Sequence, residues 1–168
     1  TNPSGQWNSV DLSEAVIYAV DVGNPNVLSM SLQSTTFVQQ LSDALAYAYD
    51  NGALPLAAAG NNNTTPIAYP AHYDKCMGVG ATNNTDVRWP SSNFGPDLDV
   101  VAPGENVYSC FNASNWQYIS GTSMATPHVA GLAGLIVSRN PGLTVPQVEA
   151  IIRNTAEDKG TAGFDNLY

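Results

Sequence analysis

Residues 38–61 read VQQLSDALAYAYDNGALPLAAAGN, which is a helix, a stop and a buried strand in one run. Val38, Leu41, Leu45, Ala48 and Tyr49 recur at the spacing of one helix face, and Asn51-Gly52 ends the pattern. Residues 54–59 are continuously apolar and stop at Gly60-Asn61, as a strand buried on both faces would. A helix feeding directly into such a strand is the repeating half of a parallel sheet covered by helices.

The same alternation continues outward. Upstream, Asp11 and Glu14 predict a capping box for a helix carrying Leu12, Ala15, Val16, Ala19 and Val20 on one face. Gly23-Asn24-Pro25 ends it, and residues 27–32 read as a short strand. Downstream, loops at 61–73 and 83–96 flank strands predicted around 77–81 and 98–102, and residues 107–119 read as extended. A helix is predicted from near Ser123, with Val129, Leu132, Ala133 and Ile136 on one face. Thr144 and Gln147 form a second capping box ahead of Val148, Ile151 and Ile152. The expected fold is α/β: three layers, a parallel sheet with helices on both faces, and no repeat or linker dividing residues 1–168.

Composition narrows the function. Fourteen acidic against five basic residues give a formal charge of −9, which excludes the basic footprint of a nucleic-acid binder and disfavours anionic membranes. Apolar runs are broken well short of the ~18 residues a membrane helix needs. Low charge with many Asn, Ser and Thr suits a secreted, extracellular protein. Cys76 and Cys110 permit one disulfide, with two buried thiols as the alternative. Glycosylation sequons stand at Asn62, Asn63, Asn83 and Asn112.

Two places could carry chemistry. In Gly121-Thr122-Ser123-Met124-Ala125, small residues surround a serine where an extended segment turns into a helix, exposing its hydroxyl beside the positive end of the helix dipole. Ser123 is on these grounds either a nucleophile or a helix N-cap. Pro127 is tolerable there because early helical donors lack partners. Asn61 follows a buried strand and one glycine, where its amide could donate to an oxyanion or simply shape a turn. Neither histidine makes a base for Ser123. His128 is five residues further along the same helix, which rises ~1.5 Å per residue, and His72 reads as a surface loop residue.

Taken together, these segments resemble the subtilase family of subtilisin- and proteinase K-like serine peptidases, specifically the C-terminal part of the catalytic domain. GTSMATPHVAG, residues 121–131, is similar to the family's nucleophile signature over its full length, and AAAGN, residues 57–61, resembles the segment of its oxyanion asparagine. Tyr69-Pro70-Ala71, Val79-Gly80-Ala81, Ser92-Asn93-Phe94-Gly95 and Val101-Ala102-Pro103-Gly104 are similar to family segments in the same order, and Ser29-Met30-Ser31-Leu32 resembles the substrate-pairing strand. The resemblance implies a serine endopeptidase acting on polypeptides, with Ser123 as nucleophile and its N–H joining Asn61 in the oxyanion hole. It implies that Ser31 and Leu32 line one wall of the primary specificity pocket, Ala58, Ala59 and Gly60 the other, and Ala68 its floor. No cofactor is implied for the chemistry. Calcium is implied as a structural ion, held by carbonyls near Ala71, Tyr73 and Cys76 and by the Asp99 carboxylate.

Two departures qualify that picture. The family's order of Asp, His, Ser would put the first two ahead of Thr1, so the expectation is a fragment lacking the N-terminal part of its own domain, unstable and inactive alone. Gln33 stands where the family usually has glycine, which affects the pocket's shape. The alternative function is a pseudopeptidase that binds peptides along residues 29–32 without cleaving them. An esterase elbow would need glycine at Ala125.

Overall fold

The computed structural model of the protein describes residues 7–112, 115–163 and 165–168; the Asn112 sequon runs on over residues 113–114, outside them. Four strands, β1 (Val27–Met30), β2 (Leu54–Ala58), β3 (Met77–Thr82) and β4 (Val100–Pro103), pair in that order and all in parallel. β2 and β3 are buried along their whole lengths, as central strands of a covered sheet must be.

Alternation along β2 sorts the core into two halves. Leu54 and Leu56 join Met77, Val79 and Ala81 in a cluster under α3 (Thr122–Arg139) and α4 (Val145–Thr155). Ala57 and Ala59 face the other way, into a cluster with Val16, Leu41 and Leu45 of α1 (Ser9–Tyr18) and α2 (Gln39–Asp50). The three-layer α/β architecture read from the sequence is therefore present, with helices on both faces. α3 packs across all four strands, which fixes its N-terminus against the ends of β1 and β2.

Local departures have physical causes. The N-cap of α1 is Asn8: its Oδ1 accepts from the Asp11 N–H at 2.8 Å, so the cap lies one turn before the predicted Asp11–Glu14 box. Asn caps as well as Asp, and here it comes first. The helix then widens into a π-helical turn over Ala19–Gly23 and stops at left-handed Asn24. β1 ends at Met30, which pairs with Ala57; residues 31–33 then leave the sheet, and Ser34 bridges Tyr69 instead. β4 begins at Val100, since the Leu98 N–H is spent on a turn to the Gly95 carbonyl. The Thr144–Gln147 capping box forms as predicted.

Residues 107–119 form an antiparallel hairpin of β5 (Val107–Asn112) and β6 (Asn115–Ile119). Cys110 on β5 is exposed and Cys76 is buried, both as free thiols, so of the two buried thiols expected only Cys76 is one. The base of the hairpin is closed where the Gly121 N–H donates to the Gly104 carbonyl at 2.8 Å. A Cβ on Gly104 would stand 2.6 Å from the Ala81 Cβ and 2.8 Å from the Gly121 carbonyl oxygen, neither of which can swing aside. Gly104→Ala should therefore cost about 1–3 kcal/mol. The measurement is a lower urea midpoint at unchanged slope, and an unchanged midpoint would contradict the crowding.

Candidate active site

The N-terminus of α3 meets the ends of β1 and β2 through three side chains. Thr122 is fully buried; its hydroxyl donates to Asn61 Oδ1 at 2.9 Å and accepts from the Gly60 N–H at 3.1 Å. Its backbone N–H also donates to Asn61 Oδ1, at 2.9 Å. Two donors on one oxygen fix which end of the Asn61 amide is which, so Nδ2 is the end left over. Asn61 Nδ2 has no hydrogen-bond acceptor among the described residues.

Ser123 is half-buried at the second position of α3, where a backbone N–H has no intrahelical acceptor. Its carbonyl would ordinarily accept from residue 127, but Pro127 has no N–H. The Ser31 hydroxyl donates to it instead, at 2.8 Å. Pro127 thus lies beyond the first turn, and its tolerance comes from this tertiary donor rather than from the helix start alone.

The other predicted residues gather around this junction. Ala58 and Ala59 are buried, and the Ala68 N–H donates to the Ala59 carbonyl at 2.8 Å. Gly60 has φ +107°, and a Cβ there would fall 2.3 Å from Asn93 Nδ2 and 3.2 Å from the Ala68 Cβ, so only glycine fits. Leu32 is half-buried against the α1–α2 cluster. Asn93, itself buried, accepts from the Asn62 and Thr64 N–H groups and so carries the loop beyond Asn61. Sequence reasoning assigned no role to Thr122 or Asn93, although both lie inside the quoted family-like segments.

The histidines are engaged elsewhere. His128 Nδ1 pairs with the Met124 carbonyl at 2.8 Å, and His72 Nε2 with Asp97 at 3.0 Å. His72 is half-buried and stacked on Tyr69, not the plain surface residue expected.

Asp99 sits far down the sheet, at the start of β4, and its surroundings do not fit calcium. One carboxylate oxygen pairs with Arg153 at 2.5 Å and the other accepts from the Gly78 N–H, while the Tyr73 carbonyl accepts from the Cys76 N–H. A guanidinium already occupies the cation's side of the carboxylate.

Burial pushes the Asp99 carboxyl up to about 6, against the lowering pull of Arg153 and the Gly78 N–H. A folded-state value above the unfolded one means that Asp99 stabilises the fold fully below about pH 4, and that this stabilisation is lost as pH rises through about 6. Carboxyl NMR should find a midpoint near 6 for Asp99, and higher still in Arg153→Met; an ordinary carboxylate midpoint would contradict the burial. At the junction, Thr122→Val keeps the shape but strands the buried Gly60 N–H, and should cost about 1–3 kcal/mol in chemical unfolding. Stability equal to wild type would mean that the hydroxyl bridge contributes nothing.

The sequence model of the subtilase family matches residues 2–168. Thermitase of Thermoactinomyces vulgaris is 41% identical over 154 residues, covering 92% of this chain and 53% of thermitase. Subtilisin Savinase of Lederbergia lenta is 38% identical, covering 98% of this chain and 60% of its own length. Among solved structures, a cold-adapted subtilisin-like serine proteinase superposes with TM-score 0.89 at 33% identity, covering 97% of this chain and 61% of that one. Sphericase superposes with TM-score 0.84 at 32% identity, over 91% and 57% of the two chains. The chain spans between about half and three fifths of these proteins. With an ordered set of family-like segments, a matching parallel sheet and relatives at this identity, the chain belongs to the subtilase family.

Proposed function

We propose that this chain carries the nucleophile and oxyanion-binding half of a serine endopeptidase site. The observation that supports it most is the pair of Thr122 bonds to Asn61 Oδ1, which leave the Asn61 Nδ2 donor free beside the start of α3. In this reading Ser123 Oγ attacks the scissile carbonyl carbon and its proton passes to a histidine. The carbonyl oxygen becomes an oxyanion held by the Ser123 N–H and Asn61 Nδ2. Collapse breaks the C–N bond, the amine leaves with the proton, and an acyl ester remains on Ser123. Water, deprotonated by the same histidine, then cleaves the ester.

That histidine and its aspartate come from outside these 168 residues, because His72 and His128 are both committed to other partners. We therefore expect the 168 residues alone to be inactive, as one portion of a single peptidase domain. In this reading Ser31 and Leu32 form one wall of the specificity pocket, Ala58, Ala59 and Gly60 the other, and Ala68 lies near its floor. The working environment is extracellular, in keeping with the low charge; no helix among the described residues is long and apolar enough to cross a membrane. The substrate is polypeptide.

A peptide-binding pseudopeptidase draws support from the edge of β1, which among the described residues pairs only with β2. A fluorophosphonate probe separates the two in the protein that carries this chain. A peptidase is labelled, and Ser123→Ala abolishes the label; an unlabelled, peptide-binding protein is the pseudopeptidase. Asn61→Leu should lower turnover about 10²–10³-fold at nearly constant KM, the cost measured for removing the equivalent donor of subtilisin. Unchanged turnover would remove Asn61 from the chemistry.

A further inference from the structure

Gln33 departs from the family's usual glycine, and it puts both ends of its amide to use. From the segment beyond β1 it reaches to the turn beyond β2: Oε1 accepts from the Asn61 N–H at 3.1 Å, and Nε2 donates to Asn62 Oδ1 at 3.2 Å. Gln33 is exposed, so nothing in the core obliges it to lie this way. Holding a long polar side chain in one rotamer sacrifices its freedom, and here the two bonds offset that cost.

The turn it clasps is otherwise held from other directions. Thr122 grips the Asn61 side-chain oxygen from α3, and Asn93 accepts from the Asn62 N–H from behind. The main-chain N–H of Asn61 is bonded by Gln33 alone among the described residues. A side-chain amide swings about its own main chain. Fixing its oxygen while the backbone shifts would still displace the nitrogen, and oxyanion donors act over a few tenths of an ångström.

We infer that Gln33 is a positioning residue for the oxyanion hole: it fixes the Asn61 backbone from the β1 side so that Nδ2 is aimed before substrate arrives. The inference rests on the reading of Asn61 as an oxyanion donor. It assigns Gln33 a share of turnover rather than of substrate binding, because an oxyanion exists in the transition state and not in the bound peptide.

The test is a double-mutant cycle in the peptidase that carries this chain, with turnover normalised to active sites titrated by fluorophosphonate so that any misfolded fraction drops out. Gln33→Met keeps the length of the side chain and removes both hydrogen bonds. It should lower kcat about three- to tenfold, a fraction of what loss of the whole donor costs, with KM changed less than about twofold. In an Asn61→Leu background, where there is no donor left to aim, the same substitution should change kcat by less than about twofold. An equal loss in both backgrounds, or no loss in the parent, overturns the inference while the oxyanion reading stands. Should Asn61→Leu itself leave turnover unchanged, the oxyanion reading falls and the role of Gln33 falls with it.

Discussion

One buried hydroxyl joins the sheet to the helix at the candidate site. Thr122 sits at the first position of α3, donates to Asn61 Oδ1 and accepts from the Gly60 N–H. The sheet delivers Gly60 and Asn61 at the carboxyl end of β2, and α3 delivers Thr122 and Ser123 at its amino end, so the bond can form only where sheet and helix meet. Open α/β sheets place ligands at the carboxyl ends of their strands for a related reason: backbone donors and helix dipoles converge there. The layers above and below supply rigidity, and the junction converts rigidity into aim.

Uncharged groups make up that junction. Gln33, Asn61, Asn62, Asn93 and Thr122 hold one another with hydroxyls and amides, and Ser31 holds the Ser123 carbonyl, although the chain has a formal charge of −9. A carboxylate close by would oppose the negative charge that develops on a substrate oxygen, whereas fixed dipoles stabilise it without reorganising. The ion pairs lie elsewhere: half-buried Asp99 and Glu149 are joined in a string through the exposed Arg153, and Tyr49 donates to Glu149. That string ties α2, α4 and the start of β4 together, so ionic bonds brace the frame while dipoles shape the site.

How far the sequence reaches follows from the range of each interaction. The run 38–61 is locally consistent: periodicity, stop and apolar strand agree, and α2 and β2 appear with ends within a residue of those read. Ser123 and Asn61 stood out as candidates because each lies in a contiguous segment, and the fold brings the two segments together at one junction. The cap of α1 went to Asn8 because two adequate caps stood a turn apart. Strand ends depend on where the chain turns away from its neighbour, so β1 and β4 came out shorter than their apolar runs. The exposure of Cys110 depends on a hairpin that lies over no second layer of core. Gln33 was visible as an oddity, but its partners are 28 and 29 residues away, across a gap that only the folded sheet closes.

Pro127 leaves the Ser123 carbonyl without its own helix's donor, and Ser31, 92 residues earlier, supplies the replacement. A helix with a complete ladder can form its first turns in isolation; α3 cannot satisfy that rung until the end of β1 arrives. Full hydrogen bonding around Ser123 is therefore a certificate of assembly, issued only when strand and helix have docked. A nascent or misassembled chain would carry Ser123 without that certificate.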